Sequence, residues 1–499
     1  MKNGRAALWL LCIPVLVVAC QPPATPLPAT PPPSPTPSYG LPSPVPGPTV
    51  APDTTSNHDA PVPEADIAAN CAAPLTGGAV TYGTSGWWTD QDAELWRARY
   101  AELKPQVVRL LLVQALLEPA NDDDDPTHID AARFNFDKAV PLPGGRTATY
   151  RSWFETLRDL DITVMLYEPY LAGWLSANGD AGLYSTYPPR SIAEYGEFIE
   201  ATLRFMIDEV GYRPEKIILE PVNEPDLHCG QDPAVPCFWQ NWTMDDLMAV
   251  LQAARDVAQT VDPAIRMVGP SICCDETLVH RLMQEYDGSK LFDGLTYHRY
   301  ERGFDQEYAL QVGRRLANWG LPVYLNEYGS PKYWSDGVEG ALWHAAALAQ
   351  FWPAGIAPLQ FPMSEFPEMH QGYNRLGLFR DWEGGWEVKP AYGVYVAFFQ
   401  HLGALTPVST TTDLPFFVAA GCRRRTSAAF WVVNAGATAQ PDLVFRADGL
   451  SGAAFEITLH TILPPVDKPE TLKVAGPPAI FTATIPATGV TLFVLNTVD

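Results

Sequence analysis

Short apolar runs alternate with longer amphipathic stretches from about residue 79 to residue 402. The apolar runs, read as buried strands, fall at 79–83, 106–112, 162–167, 216–222, 265–269, 293–297, 322–326 and 356–361. Between them lie helical patterns at 92–103, 150–159, 191–210, 243–261, 277–286, 306–319, 338–351 and 390–402. Those at 191–210 and 243–261 open on Ser191 and Thr243, residue types that cap helix N-termini. Eight strands alternating with eight helices predict an α/β fold, a (β/α)8 TIM barrel. An open doubly wound sheet is the alternative, but no GxGxxG follows a strand to support it. Beyond Leu402 the helical period vanishes. Runs such as "SAAFWVVNAG" and "VTLFVLNTV" predict a C-terminal β-sandwich. The chain is thus expected to hold a barrel at 65–402 and a β-sandwich accessory domain at 403–499.

The first 64 residues obey neither pattern. Lys2 and Arg5 precede a short apolar stretch, which reads as a signal peptide. It ends in "VVAC", which resembles the processing box of bacterial lipoproteins and implies cleavage before Cys20 and lipidation of its thiol. An ordinary secretory signal is the alternative. Residues 21–64 hold 16 prolines and no charge before Asp53, so they are expected to be a disordered Pro-rich linker rather than part of a core. At about 3.1 Å per residue such a spacer reaches on the order of 100 Å. The protein is therefore expected on the extracellular face of a bacterial membrane, lipid-anchored or secreted, touching the membrane only through that anchor.

Net charge of −24 excludes nucleic acid as a natural partner, because phosphates require basic surfaces. Apart from Cys12 and Cys20 there are six cysteines: 71, 229, 237, 273, 274 and 422. Six cysteines permit 15 pairings. The short spacing of Cys229 and Cys237 makes them the favoured disulfide candidate, whereas adjacent Cys273 and Cys274 are awkward to bridge to each other. No CxxC pair with histidine spacing suggests zinc. "NDDDDP" (121–126) is oxygen-rich, yet lacks the glycine and distal glutamate of an EF-hand, so a solvated loop is expected there. No metal or cofactor is expected, and a monomer is.

Catalytic groups of such barrels gather at the C-terminal ends of the strands. Those ends carry Arg109 (strand two), Glu168 and Tyr170 (three), Asn223 and Glu224 (four), His298 and Tyr300 (six), and Glu327 (seven). In "EPVNEPD" (220–226) prolines end the strand and leave Glu224 on its lip. Glu327 stands across the mouth, and two facing carboxylates suit a retaining glycosidase, in which one attacks the anomeric carbon and the other handles the proton. Each glutamate taken singly could be a helix-terminal carboxylate. Glu220, four residues before Glu224, is read as the structural partner of a buried cation.

"NEPD", "YHRY" (297–300) and "NEYGS" (326–330) resemble clan A glycoside hydrolases, family 39 most closely and family 5 next, over about 81–402. The resemblance implies Glu224 as acid/base and Glu327 as nucleophile. It further implies Asn223 on the sugar 2-hydroxyl, Tyr300 and Arg109 supporting Glu327, and His298 lining the site. Many clan members end strand eight in tryptophan, where "LQFPMSE" offers Phe361. Glu168 and Trp174 are further candidate substrate contacts. Flat rings suit sugar faces, and Trp88, Trp239, Trp382 and Trp386 join Trp174 as candidates for the rim. The expected function is a retaining O-glycosyl hydrolase acting on β-linked extracellular oligo- or polysaccharides. The alternatives are a transglycosylase with the same residues and a non-catalytic carbohydrate-binding lipoprotein.

Overall fold

The computed structural model describes residues 64–75, 83–85, 88–123, 125–141, 145–168, 170–179, 184–227, 239, 241–333, 335–365, 375–466 and 468–498. Eight parallel strands close into a barrel in chain order. They are Gly83–Ser85, Val107–Leu111, Thr163–Tyr167, Ile217–Glu220, Arg266–Ile272, Gly294–Tyr300, Val323–Gly329 and Ile356–Gln360, here barrel strands one to eight. Strands three, four, seven and eight are buried at every residue, as expected of strands covered by helices outside and packed side chains inside. Strand one is only three residues long and sits close to its neighbour. A Cβ on Gly83 would lie 1.6 Å from the Val107 carbonyl oxygen, so glycine is required there.

The surrounding helices begin where their polar caps place them. The Ser191 hydroxyl accepts the Glu194 N–H (3.3 Å) at the start of Ile192–Arg204. Thr243 and Asp246 form a reciprocal capping box before Met244–Val261.

Beyond the barrel a nine-stranded sheet curls over its own core. Phe445 and Phe481 stack (5.0 Å), and Phe493, from the far part of the same sheet, lies 4.6 Å from Phe445. The other face leans on the barrel, where Trp431 packs edge-on to Phe398 (5.4 Å) and donates its indole N–H to the Ala345 carbonyl (3.1 Å).

One boundary differs from expectation. The segment after residue 65 does not open the barrel domain. Ile67–Pro74 is a strand of the C-terminal sheet, paired antiparallel with Thr406–Thr412 and parallel with Gln440–Asp448. Its burial alternates at first, with Ile67, Ala69 and Cys71 turned into the sandwich core, and Cys71 is disulfide-bonded to Cys422. Eight residues, most of them small and all far in sequence from their partners, leave no local sign of which sheet they join. Cys274 is also disulfide-bonded, and Cys273 is a buried free thiol. Cys20, Cys229 and Cys237 lie outside the described residues.

Candidate active site

Arg109 organises the C-terminal mouth of the barrel. It projects from strand two, is fully buried, and spends each guanidinium nitrogen on a different partner. Nε donates to Glu220 Oε2 (2.6 Å), Nη1 to Glu327 Oε1 (2.5 Å), and Nη2 to Asn223 Oδ1 (2.6 Å). The Tyr167 ring lies 3.6 Å from the guanidinium carbon, a buried cation–π contact. Burial works against the Arg109 charge, but Glu220 and Glu327 outweigh it and push the pKa up. Glu220 is thus the partner of a buried cation, and it also accepts the Asn326 amide (2.6 Å).

Glu327 receives a donor on each oxygen: Arg109 on Oε1, and the Tyr300 hydroxyl on Oε2 (3.0 Å). Two donors suit a carboxylate in its charged form. Glu224 has a different setting. It is fully buried, and only Oε1 is engaged, by His298 Nδ1 (2.7 Å); no partner meets Oε2. Burial, followed by the nearby Asp226, pushes the Glu224 carboxyl up to about 8, with Arg109 opposing. One carboxyl therefore holds a proton near neutral pH, while its neighbour is furnished to be an anion. Oxygens of Glu224 and Glu327 and a ring nitrogen of His298 lie within 4.8 Å of one another.

The tautomer of His298 follows from its second contact. Ser271 Oγ is within reach of two obligate donors, Asn326 Nδ2 (3.3 Å) and Arg109 Nη2 (3.4 Å). Its own proton is left for His298 Nε2, 2.8 Å away. Burial lowers the His298 pKa and Arg109 adds to the effect against Glu327, so the imidazole is neutral. With Nε2 an acceptor, the ring proton sits on Nδ1 and is donated to Glu224 Oε1. The carboxyl proton of Glu224 is thereby assigned to Oε2.

The backbone makes these placements possible. Glu224 has φ of +49°, a left-handed conformation costing on the order of 1–3 kcal/mol in a residue with a side chain. Its N–H donates to the Ser271 carbonyl (3.0 Å), which helps hold it there. Just beyond, Asp226 accepts backbone N–H groups from Cys273, Cys274 and Asp275, tying the strand-four loop to the strand-five loop. On strand seven the pairing jumps from Leu325 opposite Tyr297 to Glu327 opposite His298, which makes Asn326 an extra residue, a bulge. Regular alternation would send Asn326 and Glu327 to opposite faces. The bulge lets both join the interior network.

The remaining candidates are spread more widely. Asn223 meets Arg109, and its carbonyl accepts the Trp239 indole N–H (2.8 Å). Phe361 is buried directly after strand eight. Glu168 is buried, and no partner meets either carboxyl oxygen; burial and then Glu118 raise its pKa, and it makes no hydrogen bond to the Arg109 network. Trp174 is half-buried and donates to the Glu118 carbonyl (2.9 Å). Three tryptophans expected at the rim are core residues: Trp88 stacks on Trp153, Trp386 packs edge-on to Trp96, and Trp239 is buried against Trp242. Sequence reasoning missed Ser271, Tyr167 and Asn326. Ser271 lies inside strand five, which runs on past Pro270 to Ile272, so no strand-ending proline marks it.

Fold and site together define a parallel barrel with a paired-carboxylate mouth and an appended β-sandwich. No family model and no curated protein matches the chain. Solved structures do share the fold. A glucosidase from Croceicoccus marinus aligns at TM-score 0.63 and 16% identity, over 87% of this chain and 99% of its own. A glycoside hydrolase family 30 subfamily 8 xylanase from Clostridium acetobutylicum aligns at 0.60 and 13%, over 87% and 100%. A family 39 enzyme from Xanthomonas axonopodis pv. citri aligns at 0.58 and 15%, over 89% and 99%.

Proposed function

We propose that this protein is a retaining O-glycoside hydrolase that cleaves β-linked sugars by double displacement. The observation that carries the reading is the unequal carboxylate pair at one barrel mouth. The close approach of their oxygens fits the roughly 5–5.5 Å separation of retaining enzymes better than the 6.5–9.5 Å of inverting ones. Glu327 attacks the anomeric carbon while Glu224 Oε2 passes its proton to the departing glycosidic oxygen. The bond breaks, and a glycosyl ester of Glu327 forms. Glu224, now a carboxylate, takes a proton from water as that water attacks the same carbon and releases Glu327. Arg109 carries one positive charge against Glu220 and Glu327, which leaves the mouth net negative when Glu224 is protonated. That charge favours the oxocarbenium character of both transition states. Lipidation of Cys20 places the enzyme at the outer face of a membrane, acting on extracellular glycans.

The test is a panel of aryl β-glycosides and polysaccharides, led by β-xylosides and β-glucosides in view of the related folds. The anomer released first is read by NMR. Release of sugar with retained configuration is expected. Binding without release would make the protein a carbohydrate-binding lipoprotein, and longer products with a sugar acceptor would make it a transglycosylase. An inverted first product would sink double displacement.

A further inference from the structure

Away from the catalytic mouth, the loop after barrel strand two meets the first turn of helix Ile192–Arg204. Asp122, Glu194 and Glu197 come together there, and one oxygen from each lies within 4.8 Å of the others. Glu194 and Glu197 are three residues apart and share one helical face. Glu197 is only 4% exposed, and no hydrogen-bond donor reaches either of its carboxylate oxygens. Asn121 Oδ1, in the same loop, is also buried without a partner.

Among the described residues no cation answers these acids. The nearby bases are committed elsewhere, His128 to Asp123 and Arg133 to Asp130. Every charged group that acts strongly on Glu197 is itself acidic: Asp122, Glu194 and the buried Glu118. Buried carboxyl groups without donors are unfavourable unless a cation or proton compensates them.

We propose that Asp122, Glu194 and Glu197 form a binding site for a calcium ion, separate from the catalytic pair. The donor set is all oxygen, which suits hard cations rather than zinc or copper. Calcium–oxygen distances of about 2.3–2.6 Å allow ligand oxygens to lie up to roughly 5 Å apart across the ion, whereas magnesium at about 2.1 Å demands a tighter octahedron. Asp122 is already oriented for the task. Its oxygens accept the Asp123 N–H (2.8 Å) and the Asp130 N–H (2.7 Å), which leaves a lone pair on each for an ion. "NDDDDP" therefore supplies one ligand to a site completed by a helix some seventy residues later, not a self-contained calcium loop.

The experiment uses the full chain, stripped with EGTA and titrated calorimetrically with calcium chloride. One ion per chain is expected, with the thermal midpoint rising by about 2 °C or more at saturation. Glu197→Gln should abolish that rise, yet its midpoint in EGTA should equal or exceed the native one, because a buried carboxyl without a donor has gone. Asp122→Asn replaces it as the test variant if Glu197→Gln does not fold. No binding heat and an unchanged midpoint for the native chain would overturn the proposal, as would a full calcium response in the folded variant. An equal or stronger response to magnesium chloride would overturn the choice of ion.

Discussion

In the sandwich strand Ala479–Ile485 burial alternates residue by residue, and the buried side chains are Ala479, Phe481, Ala483 and Ile485. Barrel strand seven, Val323–Gly329, is buried throughout, and among its enclosed side chains are Asn326 and Glu327. The sandwich core is apolar and aromatic. The barrel mouth encloses Arg109, Glu220, Glu224, His298 and Glu327 at 2% exposure or less. Isolated charges in such a place would cost several kcal/mol each, and the pairing around Arg109 offsets much of that. A fold that optimised stability alone would fill the mouth as it fills the sandwich. The difference marks where apolar packing has been given up for a buried polar network, and each experiment below acts on one side of it.

The largest effect is expected from Glu327→Ala. Turnover should fall by about 10⁴-fold or more on every glycoside, since no ester intermediate can form. Azide should rescue the variant and yield a glycosyl azide of inverted configuration. Normal turnover by a folded Glu327→Ala protein would remove this residue from the nucleophile role.

Glu224→Ala should separate substrates. Glycosides with poor leaving groups should lose about 10²–10⁴-fold in kcat, whereas activated aryl glycosides, which need no acid, should keep measurable activity. Azide should here give a product of retained configuration. The sign of the pH dependence follows from the raised pKa. The acid form is present below about 8, so native kcat/KM should fall as pH rises through that value. Glu224→Ala should lack this alkaline limb, and a variant that kept it would assign the limb to another group.

The sandwich should respond in stability instead. The Cys71–Cys422 disulfide joins residues 351 apart and fastens the N-terminal strand to the sheet. Replacing both cysteines with serine should cost about 2–4 kcal/mol, read as a lower midpoint in thermal or denaturant unfolding. At 25 °C kcat/KM should not change. A matching fall in kcat/KM in the folded variant would show that the sheet also holds the barrel mouth in shape.

What could be read from the sequence follows the same division. Strand and helix periods are local, so the barrel and the sandwich were both legible. Glu224 and Glu327 were legible because prolines and strand ends locate them without knowledge of packing. The strand Ile67–Pro74 was not, because its partners lie more than three hundred residues away. Nor was the inward turn of Asn326, which depends on a bulge that period-two reasoning does not contain. Ser271 was hidden for a related reason. Its φ of +60° and a second register shift in strand five aim a short hydroxyl at His298, and the apolar run that marks this strand in the sequence stops at residue 269, short of it.

Ser271→Ala is the smallest and most diagnostic change. The hydroxyl proton on Nε2 keeps the His298 ring proton on Nδ1, facing Glu224 Oε1. Without that hydroxyl the imidazole is free to carry its proton on Nε2. Nδ1 then becomes an acceptor, and the Glu224 proton is drawn to Oε1 and away from the leaving group. The loss of one such hydrogen bond corresponds to about tenfold in kcat. That loss should appear on glycosides with poor leaving groups, with KM unchanged, and should vanish on activated aryl substrates. It should also vanish in a Glu224→Ala background, where there is no proton to misplace. A tenfold loss that is equal for all leaving groups and persists in the double variant would mean that Ser271 acts by bracing Arg109 and Asn326, not by setting the tautomer of His298.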